Sequence, residues 1–445
     1  MADGCFPVNF AGALKKSLHR QTFPRLVLRS RQVRKKESDV ADSAISRVVI
    51  IGSGQAGVEC AAALRHQGFP GSISVVGDDP NLPYQRPPLS KEFLKSATDT
   101  SLPLKGEAFY ASNDIGLRLG VTVKSIERET RRVIFEDDDS VPYDHLVIAT
   151  GARNRIPPIA GLDRHDFLEL RTLAHAQALT SNLDRIQRVV IIGGGFIGLE
   201  VAALLRRRDV EVHVVEAADR LMARVLSPMM SAAFENIHRQ QGTHLHLGVV
   251  ATSLDGDRIT LSDSTQLVAD KIVVAAGVVP NVELATRADL EVDNGIVVND
   301  WLLTSDPNIS AIGDCASHPN PWGLGVIRLE SVQNAVDQAK SVAGRLMGQP
   351  APYNSLPWFW SHQGDAKLQI AGLAHGMDDA VMRGDPATGK FSVFIYRAGQ
   401  LIAVESVNSP GDHMVARRLL AAGRSLDLDV ASNLSIDLKT FLASG

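Results

Sequence analysis

The stretch Val48-Val49-Ile50-Ile51-Gly52-Ser53-Gly54-Gln55-Ala56-Gly57 runs from a β-branched tetrapeptide into a glycine turn, and Val58 to His66 continues with helical spacing. Ser72 to Val76 then returns as a strand, so the segment reads as a βαβ unit. Gly52, Gly54 and Gly57 allow a tight turn and let backbone approach a pyrophosphate held at the helix N-terminus. Asp78 follows 21 residues after Gly57, just past the second strand, where a carboxylate can accept hydrogen bonds from an adenosine ribose. Asp79 is an adjacent rival for that role.

The same order recurs about 140 residues later: Val189 to Ile192, the turn Gly193-Gly194-Gly195-Phe196-Ile197-Gly198, Leu199 to Arg206, and Glu211 to Val215. Gly193, Gly195 and Gly198 repeat the glycine spacing. Glu216 stands 18 residues after Gly198 at a strand end and favours NAD, because a 2′-phosphate would be repelled there. Arg220 and Arg224 lie near enough in sequence to keep NADPH open. Each unit is followed by a further apolar strand ending in glycine, at Leu146 to Gly151 and Ile272 to Gly277. Two dinucleotides on one chain imply electron transfer between them, since hydride chemistry belongs to nicotinamide and flavin rather than to side chains.

Beyond Pro350, runs such as Phe391 to Tyr396 and Leu401 to Ser406, joined by a turn containing Gly399, read as antiparallel sheet. The fold expected is α/β: two nested Rossmann-like dinucleotide-binding domains with a C-terminal α+β domain. The 445 residues, 44% hydrophobic and 22% charged, suit a globular chain of about three domains.

The net charge of −4 conceals an asymmetry: residues 1–45 carry nine Lys or Arg against four Asp or Glu, which leaves the remainder at about −9. That body argues against a nucleic-acid partner. The basic leader is expected to be disordered, with a targeting presequence as the other reading. Apolar runs fall far short of the roughly 20 residues of a membrane span, so no membrane association is expected. Cys5, Cys60 and Cys315 are scattered, which suggests neither a disulfide framework nor a zinc site and fits a cytoplasmic location. His244 and His246, with His238 upstream, have no Cys or carboxylate at ligand spacing, and no metal site is expected.

Further motifs carry a family resemblance: Pro83-Tyr84-Gln85-Arg86-Pro87-Pro88-Leu89-Ser90-Lys91, Leu170-Arg171-Thr172, Thr304-Ser305-Asp306-Pro307, Gly313-Asp314-Cys315, Glu330-Ser331-Val332 and Pro357-Trp358-Phe359-Trp360-Ser361. Together they resemble the FAD-dependent ferredoxin reductases of bacterial oxygenase systems, the group of putidaredoxin reductase and the biphenyl dioxygenase reductase, from about Arg47 to near the C-terminus. The resemblance implies a glutathione-reductase-like architecture. Its FAD domain would comprise 46–155 and 278–350, its NAD domain 156–277 and its C-terminal domain 351–445.

It also implies residue roles. Ala56, Asp78, Lys91, Val123 and Arg171 match positions that hold FAD, Asp314 would bond the ribityl chain, and Val332 would offer backbone to the flavin ring. Lys91 would pair with Glu200 beside the flavin, as a catalytic aid or as a structural bridge between domains. Trp360 resembles an aromatic residue that lies beside the flavin and faces the partner. His362 departs from the family, which usually has aspartate there.

The implied activity is NADH-dependent reduction of FAD followed by electron delivery to a [2Fe-2S] ferredoxin. That ferredoxin would serve a Rieske dioxygenase or a cytochrome P450, for example in aromatic hydrocarbon catabolism, and the reductase would be a monomer or weak homodimer. Arg328, Arg417 and Arg418 are candidates for contacting an acidic ferredoxin. The alternatives are a monodehydroascorbate or quinone reductase and an NADH-responsive flavoprotein binding switch. A chain without a cysteine pair, and with Pro87-Pro88-Leu89-Ser90 near the flavin, argues against thiol chemistry.

Overall fold

The computed structural model describes residues 45–95, 102–164, 167–323 and 325–442. The readings made for the basic leader and Cys5 lie outside these residues. A hexapeptide, Arg-Val-Val-Ile-Ile-Gly, occurs at both Arg47–Gly52 and Arg188–Gly193 and seeds two parallel sheets. Four of the five residues in each strand are buried, as expected where helices or a second layer cover both faces of a parallel sheet.

The first sheet runs Ile309–Ala311, His145–Ile148, Arg47–Ile51, Ser72–Gly77, Ile115–Leu119, parallel throughout. Its outermost strand on one side, Ile309–Ala311, comes from far down the chain, after the second unit has been completed. The second sheet runs His244–Leu247, Glu211–Glu216, Arg188–Ile192, Lys271–Val274, Leu168–Glu169, again parallel. Each unit also carries a three-stranded antiparallel meander, at residues 123–142 and 251–268.

The two glycine-turn helices begin three residues earlier than their apolar spacing suggests, at Gln55–His66 and Phe196–Arg206. Gly54 and Gly195 are extended N-cap residues, so helical geometry starts inside the turn. Their first-turn N–H groups therefore stand at the C-terminal ends of the central strands.

A five-stranded antiparallel sheet follows, in the order Trp358–Gln363, Ala366–Gly372, Gln400–Val407, Lys390–Arg397, Asp379–Asp385. The turn between Lys390–Arg397 and Gln400–Val407 places Ala398 at φ 50° and Gly399 at φ 72°, the pairing of positive dihedrals that two-residue hairpins favour. Alternation divides the strand faces. Phe391, Val393 and Ile395 share a core with Leu199, Met230 and Phe234, whereas Phe394 and Tyr396 pack with Val415 and Leu419 of the helix Pro410–Ala421. This docking brings Trp358–Gln363 against Phe196–Arg206 and sets one edge of the site.

Candidate functional site

At each glycine turn the three glycines do different work. Gly52 and Gly193 both adopt φ +116°, and a Cβ there would meet the carbonyl oxygens of Ala149 at 2.1 Å and Ala275 at 2.3 Å. Gly57 and Gly198 lie so close to their turns that a Cβ would stand 1.9 Å and 2.2 Å from the Gly52 and Gly193 oxygens. Gly54 and Gly195 differ: a Cβ would meet nothing within 4 Å. Neither of these N-caps has a side-chain cap, whereas Thr172, Ser227 and Ser331 cap their helices. Two sets of uncapped N–H donors with open space before them fit the pyrophosphates of two dinucleotides.

Both turns open on one cleft of about 800 Å³, within the range of ligand sites. Asp78, exposed at the end of Ser72–Gly77, lines it and has no bonding partner among the described residues. Asp79 also borders it, but its oxygens accept from Asn81 and from the Tyr84 hydroxyl at 2.7 Å, which holds its carboxyl below the usual range despite partial burial. Asp78 is thus the available carboxylate.

Glu216 ends its strand with both oxygens in use: Oε2 accepts from Gly194 N–H at 2.6 Å and Oε1 from Ala218 N–H at 2.8 Å. A carboxylate oxygen keeps further lone-pair capacity for ribose hydroxyls. Arg220 donates to the carbonyls of Leu226 and Ala223 and to Ser231 Oγ, all within 2.8 Å, and is committed to its own loop. Arg224 is mostly exposed, 3.8 Å from Glu330.

Ala56, Arg171, Asp314, Val332 and Trp360 all line the cleft. Arg171 donates to Asp314 Oδ2 at 2.9 Å and to the Ala152 carbonyl at 3.0 Å, tying together three separate segments. Val332 opens the helix Val332–Leu346, whose N-terminus meets the cleft. Phe359 rests on Phe196, ring centroids 4.6 Å apart, and Trp360 borders both this cleft and a neighbouring one of about 440 Å³. Val123 is not among the lining residues; its side chain is buried in the core beneath the first unit.

Lys91 and Glu200 meet across 109 positions, Nζ to Oε2 at 2.7 Å, with side-chain exposures of 12% and 3%. Glu200 also accepts from the hydroxyls of Ser90 and Ser361 and, at 3.4 Å, from His362 N–H. The network continues through Gln363, which donates to Ser361 Oγ and accepts from buried His238 at 2.8 Å. Both oxygens of the buried Glu200 carboxylate are therefore satisfied, which offsets the cost of taking it out of water.

Sequence reasoning assigned no role to Tyr84, Arg86, Ser90 or Ser361. Tyr84 accepts from Leu173 N–H while donating to Asp79, which anchors the Arg171 segment to the first unit. Arg86 lines the cleft with no hydrogen bond or ion pair among the described residues. Ser90 and Ser361 lay inside quoted motifs, yet only the fold brings them to one carboxylate. Cys60 and Cys315 are both fully buried; burial pushes the Cys60 thiol up to about 12 and raises that of Cys315. Neither has thiolate character.

The pyridine nucleotide-disulphide oxidoreductase family model matches residues 46–339, and the reductase C-terminal model matches residues 358–442. The chain belongs to this oxidoreductase family. Within it, rhodocoxin reductase of Rhodococcus erythropolis is 48% identical over 402 residues, covering 89% of this chain and 94% of its relative. The ferredoxin–NAD(+) reductase component of the p-cumate 2,3-dioxygenase system of Pseudomonas putida is 40% identical, covering 89% and 98%. The crystal structure of the covalent putidaredoxin reductase–putidaredoxin complex superposes with a TM-score of 0.86 at 38% identity, covering 90% and 98%. The family uses FAD and a nicotinamide cofactor.

Proposed function

We propose that this flavoprotein is a ferredoxin–NAD(+) reductase that carries electrons from NADH through FAD to a [2Fe-2S] ferredoxin serving an oxygenase. The observation that carries this reading is the pair of uncapped glycine-turn helices, each with its own strand-end carboxylate, facing a single cleft. Relatives aligned over 88–89% of the chain are named as ferredoxin–NAD(+) reductase components of dioxygenase systems, and putidaredoxin reductase was crystallised joined to putidaredoxin.

The chemistry FAD would supply when bound is hydride acceptance from NADH and one-electron delivery to an iron–sulfur partner. The residues of the chain bind, orient and tune. Gly52, Gly54, Ala56 and Gly57 with Asp78 would hold the FAD pyrophosphate and ribose, and Val123, whose side chain is in the core, could contribute only its backbone. Arg171 and Asp314 hold the middle of FAD, and the Val332 helix N-terminus offers N–H groups and a positive dipole end to the flavin ring. Gly193, Gly195, Gly198 and Glu216 hold NADH. Lys91, fixed by Glu200, supplies a positive charge at the rim where negative charge accumulates on reduction.

Residues 46–155 with 278–350 form the FAD domain, 156–277 the NAD domain and 351–445 the C-terminal domain in this reading. Arg417, exposed and with its guanidinium 4.4 Å from the centre of the Trp358 ring, is with exposed Arg418 a candidate for contacting an acidic ferredoxin near Trp360. Arg328 is a weaker candidate, since it is tied to Glu330 at 2.8 Å and to the Asp314 carbonyl. The assembly is a monomer or weak homodimer in the cytoplasm; among the described residues no helix is long and apolar enough to cross a membrane.

Glu216 and the committed Arg220 favour NADH over NADPH. Stopped-flow reduction of the FAD-loaded protein by each nucleotide tests this. Rapid flavin bleaching by NADH, at least about tenfold more efficient than by NADPH, is expected. Equal reduction by both, or none by NADH, would overturn the assignment of the second turn.

A further inference from the structure

Parallel pairing of Glu211–Glu216 with His244–Leu247 sets His213 beside His244 and Val215 beside His246. Side chains two residues apart share a strand face. Glu211, His213, His244 and His246 therefore converge at the border of the second sheet, where His244–Leu247 is the outermost strand. The His213 ring stacks on His244 with centroids 4.7 Å apart and lies 5.3 Å from that of His246. Both His213 nitrogens are engaged: Nδ1 is 3.0 Å from His246 Nε2, and Nε2 is 3.0 Å from Glu211 Oε1. Glu211, His213 and His244 each present a ligand atom, all within 4.8 Å of one another.

We propose that Glu211, His213 and His244 form a site for a borderline transition-metal dication of the Zn²⁺ class, with His246 as the residue that orients His213. Imidazole nitrogen and carboxylate oxygen are the donors such ions take, at about 2.0–2.2 Å. Two ligand atoms on a tetrahedral ion at that radius stand about 3.3 Å apart, close to the 3.0 Å between His213 Nε2 and Glu211 Oε1. The ion replaces a shared proton there with little movement, and water completes its shell.

His246 Nε2 then accepts from His213 Nδ1–H, which leaves His213 Nε2 free of a proton and aimed at the ion. Metal-bound histidines use the same outer hydrogen bond to fix tautomer and ring orientation. Arg188 donates to the second Glu211 oxygen at 3.0 Å and orients the carboxylate, while Asp263 and Arg239 lie near His246. None of the four cluster residues lines the dinucleotide cleft. The ion clamps the outer strand to the strand that ends in Glu216, and it is independent of the reductase reading.

Equilibrium dialysis of the FAD-loaded full-length protein against Zn²⁺, read as metal per chain, tests the site. H244A alters an exposed residue, and H213N keeps a polar side chain, so both should fold. The wild type is expected to hold one more Zn²⁺ per chain than either variant and to melt higher with Zn²⁺ present, a shift both variants lose. H246A is expected to bind about 10- to 100-fold more weakly, and NADH reduction of the flavin should be unchanged in all three. Equal Zn²⁺ content and equal melting shifts in wild type, H244A and H213N would leave a hydrogen-bonded histidine ladder only and overturn the proposal.

Discussion

Lys91 Nζ and Glu200 Oε2 stand 2.7 Å apart, joining the Pro83–Lys91 motif of the first unit to the glycine-turn helix of the second. Because Glu200 is also held by Ser90 and Ser361, the pair links three parts of the chain at the cleft. Removing one partner strands a buried charge, which typically costs about 3–5 kcal/mol. K91M is expected to destabilise by about that amount and to slow flavin reduction by NADH. The double variant K91M/E200Q should be markedly less destabilised than the sum of the single changes. Urea unfolding of all four proteins gives the coupling, and additive losses would mean the pair is not energetically linked.

The glycine turns separate folding from binding. G52A forces a Cβ to within 2.1 Å of the Ala149 carbonyl at φ +116°, so the chain should fold poorly with or without cofactor. G54A and G195A find open space in the protein, and each should cost about 1 kcal/mol of stability or less. Their methyl groups intrude where phosphates approach. G54A should therefore lose FAD during purification, while G195A should keep its yellow colour and bind NADH at least about tenfold more weakly. Cofactor content by absorbance and NADH titration distinguish them.

Much of this was legible in the sequence because the information is local. A glycine spacing, a β-branched strand and a carboxylate at the next strand end all lie within about 30 residues, the length of one βαβ unit. The choice between Asp78 and Asp79 was not legible, since it depends on Tyr84 occupying Asp79. Lys91 and Glu200 were paired only through family resemblance, because 109 residues separate them and neither spacing nor period reports the contact. His213 was passed over beside His244 and His246 because strand register, not sequence distance, brings the three rings together. Val123 illustrates the opposite limit: its position was named, yet its side chain packs into the core, so any contact with FAD is made by backbone.

A pH response is built into the contact between the C-terminal sheet and the second unit. Fully buried Glu405 accepts from Ser227 N–H at 2.8 Å and from Ser227 Oγ–H at 2.6 Å, and burial, the largest influence, pushes its carboxyl from 4.5 up to about 7. The folded state thus binds a proton that the unfolded state has released between those two pH values. Stability from this group is full below about pH 4.5 and is lost as pH rises through about 7. Buried His145, lowered to about 3, acts in the opposite direction below its ordinary value. The wild type and E405Q should therefore be compared at each pH: the variant's urea midpoint is expected to fall less between pH 5 and 7.5. Parallel curves would mean Glu405 does not titrate in that window.

Electron delivery itself is the most direct test. The FAD-loaded protein, reduced with one equivalent of NADH in the absence of oxygen, would be mixed in a stopped-flow instrument with an oxidised [2Fe-2S] ferredoxin, and the iron–sulfur absorbance followed. Rapid bleaching of the ferredoxin together with reoxidation of the flavin, in a ratio of two ferredoxins per flavin, is the result predicted. A reduced flavin that persists beside fully oxidised ferredoxin, while reacting readily with a quinone or monodehydroascorbate radical, would contradict the account.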